Sequence, residues 1–128
     1  MVTTGTLKLK GRRYAGFRFG ILLEDLTATD PVTGAETWTP RDLTGYTARM
    51  QARRHRQQDA ELLLTMDSDT GAITVDDAGN VTGYLPDTLT GLVPAGRWAY
   101  DLRIVPPGDD ADYIIEGPLI WEESVTTP

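Results

Sequence analysis

Between Tyr46 and Arg53 the chain alternates without a break. Tyr46, Ala48, Met50 and Ala52 fall on one side, and Thr47, Arg49, Gln51 and Arg53 on the other. A period of two sends successive side chains to opposite faces of an extended backbone. With one face apolar and the other polar, the stretch reads as an antiparallel strand packed on a core on one side and wetted on the other.

The same period recurs along the chain. Phe17, Phe19, Ile21 and Leu23 share a face, as do Leu62, Leu64 and Met66, and then Trp98, Tyr100, Leu102 and Ile104. Tyr113, Ile115, Leu119 and Trp121 close the series, with Pro118 predicting an edge or a bulge because it has no N–H for a ladder. Turn chemistry separates the runs at Asp67-Ser68-Asp69-Thr70-Gly71, Asp76-Asp77-Ala78-Gly79-Asn80 and Pro106-Pro107-Gly108. The only helical candidate is one turn near 87–92, with Asp87 or Thr88 to start it and Gly91 to stop it. Residues 24–40 read as a long loop around Asp30-Pro31-Val32-Thr33-Gly34, with Trp38 expected over one end of the core. These signals predict an all-β chain of about seven or eight strands, a single-domain antiparallel β-sandwich of Ig-like or jelly-roll-like type.

A length of 128 residues suffices for one domain with its own core, and the chain has no cysteine to staple it. No apolar run approaches the roughly 20 residues of a membrane span. The start, Met1-Val2-Thr3-Thr4-Gly5, lacks an apolar signal region, so synthesis in the cytoplasm is the expectation. The net charge of −7 argues against nucleic acid as a partner. Residues 1–23 hold Lys8, Lys10, Arg12, Arg13 and Arg18 and no acid, whereas residues 106–128 hold six acids and no base. This divides the chain into a basic arm, 1–13, and a β domain, 14–126. The arm's charge complements the acidic end, either within one fold or between copies.

No catalytic constellation emerges. His55 is the lone histidine, and neither Ser68 nor Ser124 sits in a nucleophile-elbow sequence. Asp67-Ser68-Asp69 begins like a calcium loop, but Gly71 and Ala72 then depart from that pattern, so an Asx turn is the reading. Asp109-Asp110-Ala111-Asp112 is a charged hairpin tip, Glu116 an outward strand position, and Arg53-Arg54-His55-Arg56 a solvated basic loop. No metal, cofactor or catalytic residue is assigned.

Several segments share their order with a known group. They are Asp42-Leu43-Thr44-Gly45-Tyr46-Thr47-Ala48-Arg49-Met50-Gln51, Thr70-Gly71-Ala72-Ile73-Thr74-Val75 and Gly79-Asn80-Val81-Thr82-Gly83-Tyr84-Leu85-Pro86. Leu63-Leu64-Thr65, Leu92-Val93-Pro94-Ala95-Gly96-Arg97-Trp98-Ala99-Tyr100-Asp101-Leu102 and Ile115-Glu116-Gly117-Pro118-Leu119, leading to Val125-Thr126, complete the set. This order resembles small tailed-phage structural proteins akin to the N-terminal domain of baseplate upper proteins, over residues 14–126. The resemblance implies an all-β, non-enzymatic virion component, a tail or baseplate adaptor or fibre-attachment protein. It further implies other phage virion proteins as partners, a homo-oligomeric arrangement, and no membrane. Lys8, Lys10, Arg12 and Arg13 of the arm, with Trp38 as an aromatic anchor, are the expected protein-contact residues. The alternatives are a head-associated decoration protein and a carbohydrate-binding β-sandwich module.

Overall fold

The computed structural model describes residues 3–126. They are almost entirely β, arranged in several sheets with no closed barrel. The strands are β1 (Thr3–Thr6), β2 (Leu9–Arg12), β3 (Phe17–Leu22), β4 (Glu24–Thr29), β5 (Glu36–Pro40) and β6 (Thr47–Arg53). After them come β7 (Leu62–Asp67), β8 (Ile73–Val75), β9 (Asn80–Leu85), β10 (Gly96–Val105) and β11 (Tyr113–Glu122). One helical turn, α1 (Asp87–Thr90), precedes β10 and ends at Gly91, as its sequence predicts, although no side chain caps its start.

The largest sheet runs β1-β11-β10-β6-β7, with β2 also on β11. Its inner face carries the apolar half of each alternation: Ala48, Met50 and Ala52 from β6, Tyr100, Leu102 and Ile104 from β10, and Leu119 and Trp121 from β11. A second sheet, β3-β9-β8, contributes Phe17, Phe19, Ile73, Val81 and Leu85 to the same continuous core. The Phe17 and Trp121 rings meet edge-on with centroids 5.1 Å apart. The Trp121 indole N–H donates to the Thr90 carbonyl at 3.2 Å, which satisfies the polar end of an otherwise buried ring. Trp98 is only half-buried; its N–H reaches the Pro94 carbonyl, and Arg54 lies over its ring.

The described residues hold eleven strands rather than seven or eight. The arm splits into two short strands, and the stretch expected to be a loop over 24–40 is a hairpin, β4–β5. Its turn chemistry is as read: Gly34 takes φ 74° and its N–H donates to the Asp30 carbonyl at 2.9 Å. The strands on either side lack an apolar alternation because every residue of β5 is exposed. With neither face on a core, the hairpin leaves no period-two hydrophobic signal.

The sheet is not purely antiparallel, because β1 and β2 both pair parallel to β11. Thus β11 is an inner strand despite Pro118. The carbonyls of Glu116 and Glu122 both accept N–H groups from the arm, those of Leu7 and Arg13. Alternation therefore turns the missing N–H of residue 118 toward the arm as well. It falls where the arm ladder is interrupted, between the Thr6↔Glu116 and Leu9↔Leu119 pairs. The proline costs no ladder bond there.

Candidate interaction surface

The arm is docked on its own chain. Lys10 and Arg12 pair with Glu122 at 2.8 and 2.7 Å, and Arg13 pairs with Glu123 at 2.9 Å. Arg12 also donates to the Glu123 carbonyl, and Arg13 to the Gly91 carbonyl at 2.7 Å. Hydrogen bonds from Lys10 and Arg13 hold the Glu122 and Glu123 carboxyls, respectively, below their ordinary range. Lys8 lies in the break between β1 and β2, exposed and outside the ion pairs seen among the described residues. The complementarity read from sequence between basic start and acidic end is thus met within one molecule for three of the four arm cations.

At the centre of this docking the backbones nearly touch. A Cβ on Gly117 would lie 2.3 Å from the Leu7 carbonyl oxygen, so only glycine lets the arm approach there. The same carbonyl accepts the Tyr100 hydroxyl at 2.6 Å. Burial pushes the Tyr100 phenol up to about 12.

Trp38 sits elsewhere. It lies opposite Leu26 in the β4–β5 ladder, is 52% exposed, and donates its N–H to Glu36 at 3.1 Å. It flanks a hollow of about 410 Å³ bounded by Leu22, Leu23, Gly5, Tyr113 and Ile115. That hollow borders the Tyr113 end of β11, whereas Lys10 and Arg12 pair with its other end at Ile120 and Glu122. The sequence-predicted contact residues therefore form two separate surfaces. Rather than capping the core, Trp38 stands with Leu26 and Leu22 on an exposed apolar strip.

The hairpin is tied to the body by Arg41, which sequence reading passed over. Its guanidinium pairs with Asp25 at 3.0 Å and Asp112 at 2.5 Å, bonds the Tyr46 hydroxyl, and lies over the Tyr113 ring. Tyr113 donates to Asp25 at 3.0 Å. The Arg41 hydrogen bond is the main cause holding the Asp25 carboxyl below its usual range, and burial is the main cause raising the Tyr46 and Tyr113 phenols. Asp112 Oδ1 is buried without a partner among the described residues, and the acid's ion pair runs through its other oxygen. Asp25 and Asp112 lie 87 positions apart, a separation no local motif could have flagged.

The remaining candidates fall into structural roles. Asp67 accepts the Thr70 N–H at 2.9 Å, an Asx turn as expected. Glu116 faces outward and pairs with Arg56. Among the described residues no group of three or more His, Asp or Glu side chains is placed to hold a metal ion. No helix of the described residues is long and apolar enough to cross a membrane. No protein-family model matches the chain, and no curated protein matches it.

Proposed function

We propose that this chain is a non-enzymatic structural component of a tailed-phage virion, a β-sandwich adaptor at the tail or baseplate that acts through multivalent protein contacts. The observation that carries the contact role is the β4–β5 hairpin. Among the described residues it is a two-stranded ribbon paired with no other strand, and it displays Leu26, Val32 and Trp38 to solvent. An isolated ribbon of this kind is marginal in water. Here it is clamped at its base by Arg41, an arrangement suited to presenting an apolar strip to a neighbour. Symmetric repetition would make a modest strip of this kind effective by avidity. The virion itself enters through the resemblance of residues 14–126 to tailed-phage structural proteins.

The test has two stages. Gold-labelled antibody on intact particles should mark the tail or its tip. Label over the head would assign the decoration role instead, and absence of label with an accessible epitope would refute the virion reading. In the second stage, Trp38→Ala and Leu26→Ser should leave the thermal midpoint unchanged and reduce incorporation of the protein into particles. Incorporation at the wild-type level would remove the hairpin from the contact surface.

A further inference from the structure

The arm lies on the body without joining its core. From Thr4 to Gly16 no residue is buried, and the core begins at Phe17. Leu7 is exposed, and Leu9 packs half-buried on the core. What holds the arm is its ladder on β11, the ion pairs with Glu122 and Glu123, the Tyr100 hydroxyl and the Gly91 carbonyl. Gly11 lies flat on Trp121, where a Cβ would stand 2.2 Å from the ring carbon Cζ3. These partners all fall between residues 91 and 123. The docking face is therefore complete without the segment it receives, and an identical arm from another copy meets the same set.

The link from arm to body is a tight turn over residues 12–15, closed by the Ala15 N–H on the Arg12 carbonyl at 3.4 Å. Its third residue, Tyr14, takes φ 62° and is the one non-glycine with positive φ among the described residues. A turn with positive φ at that residue ordinarily carries glycine there. A bulky side chain is disfavoured in this region and persists only where its surroundings hold it. Here the Arg13 guanidinium lies over the Tyr14 ring, and the ring packs against Gly91. A short hinge under strain, joined to a segment outside the core, is the arrangement that favours exchange between copies. Extending the chain through residues 13–16 releases the left-handed residue at the loss of one turn bond. The docking contacts re-form on the neighbour. Four extended residues span about 13 Å, which sets how near the neighbour's β11 lies to the donor's β3.

We propose that the arm exchanges between copies of this chain, pairing parallel with β11 of a second copy in the register it has within one. Exchange uses β11 and not the β4–β5 hairpin, so it stands or falls apart from the adaptor reading. The absence of native cysteine allows a direct test. Thr6 and Glu116 are opposite each other in the ladder. Thr6→Cys chains are mixed with Glu116→Cys chains, incubated over a range of concentrations and oxidised briefly with a glutathione couple. A disulfide-linked pair of the two chains should form and grow with concentration, because docking within one chain competes at a fixed effective concentration. One chain carrying both cysteines should close internally when dilute, and Thr4→Cys with Ile114→Cys repeats the test at a second ladder pair. Thr6→Cys mixed with Asp69→Cys, exposed in the turn after β7 at the opposite edge of the sheet, gives the background of random collision. The hinge is tested by Tyr14→Ala against Tyr14→Gly. Both lose the ring, and only glycine takes the positive φ freely, so the exchanged fraction should be about tenfold greater in the alanine chain. A mixed pair no stronger than the Asp69→Cys background, while the doubly substituted chain closes internally, would overturn the proposal. Equal exchange in the two Tyr14 variants would overturn it as well.

Discussion

The docking of the arm makes Gly117→Ala a decisive substitution. The new Cβ would stand 2.3 Å from the Leu7 carbonyl oxygen, where a close carbon–oxygen contact needs about 3.3 Å. The arm must therefore withdraw by about 1 Å. That displacement breaks the Tyr100 hydroxyl bond to Leu7, 2.6 Å long, and strains the Leu7 N–H bond to Glu116, 3.0 Å long. Two hydrogen bonds at about 1 kcal/mol each, with a further 1 kcal/mol or so of overpacking, give a loss of about 2–4 kcal/mol. A domain with about 5–15 kcal/mol in hand stays folded, so urea unfolding followed by tryptophan fluorescence will read the difference. Gly5→Ala is the matched control, because its Cβ meets nothing nearer than Ile115 Cγ1 at 3.9 Å, and its cost should stay within about 0.5 kcal/mol. Amide exchange over residues 3–12 should quicken in Gly117→Ala alone. Equal unfolding midpoints for the two variants would refute the claim that the arm is held against Gly117 by its own chain.

Four further outcomes are expected. Trp121→Ala, at a ring 1% exposed that contacts Phe17, should cost about 3–5 kcal/mol and lower the thermal midpoint steeply in calorimetry. Arg41→Gln should release the hairpin base from Asp25 and Asp112, seen as faster proteolysis within 24–40 while the tryptophan transition of the body persists. Asp25, Asp76 and Glu122 all have folded pKa values depressed by their partners, Arg41, Asn80 and Lys10 in turn. Their stabilisation is complete above the unfolded values of about 3.9 and 4.3 and disappears as pH falls through the folded ones. Melting midpoints should accordingly be level near neutrality and fall below about pH 4. Tyr100 has the opposite sign: raised by burial to about 12, it stabilises the fold fully below the unfolded value of about 10. That contribution is lost between the two, so phenolate absorbance and unfolding should rise together in that interval.

Several parts of this structure were legible in the chain itself. The apolar halves of the alternations at 46–53, 98–104 and 113–121 are the inner face of the large sheet, because a period of two leaves no other way to bury them. The turns at Asp67 and Asp76 formed as read, since an Asx side chain finds its backbone partner within a few residues. The one-turn helix ended at Gly91 as read. That residue keeps a right-handed φ of −65°, and the tertiary approach of the Tyr14 ring, 2.3 Å from where a Cβ would stand, is what requires glycine there. The hairpin over 24–40 was not legible: a ribbon exposed on both faces carries no hydrophobic period, and only its turn was encoded locally.

Which charges are spent on partners within the chain emerged only with the folded arrangement. A basic start, an acidic end and a polar outer face at Arg49, Arg53 and Arg103 could all be read along the chain. The chain alone could not show that Lys10, Arg12 and Arg13 would be neutralised on β11, since those partners lie about 110 positions away. Nor could it show that Arg49 and Arg103 would stand opposite each other, or that Asp25 and Asp112 would share Arg41. Alternation specifies which face a side chain occupies, because that depends on its immediate neighbours along one strand. Register and strand order specify what it meets on that face, and they are fixed by the packing of the whole core.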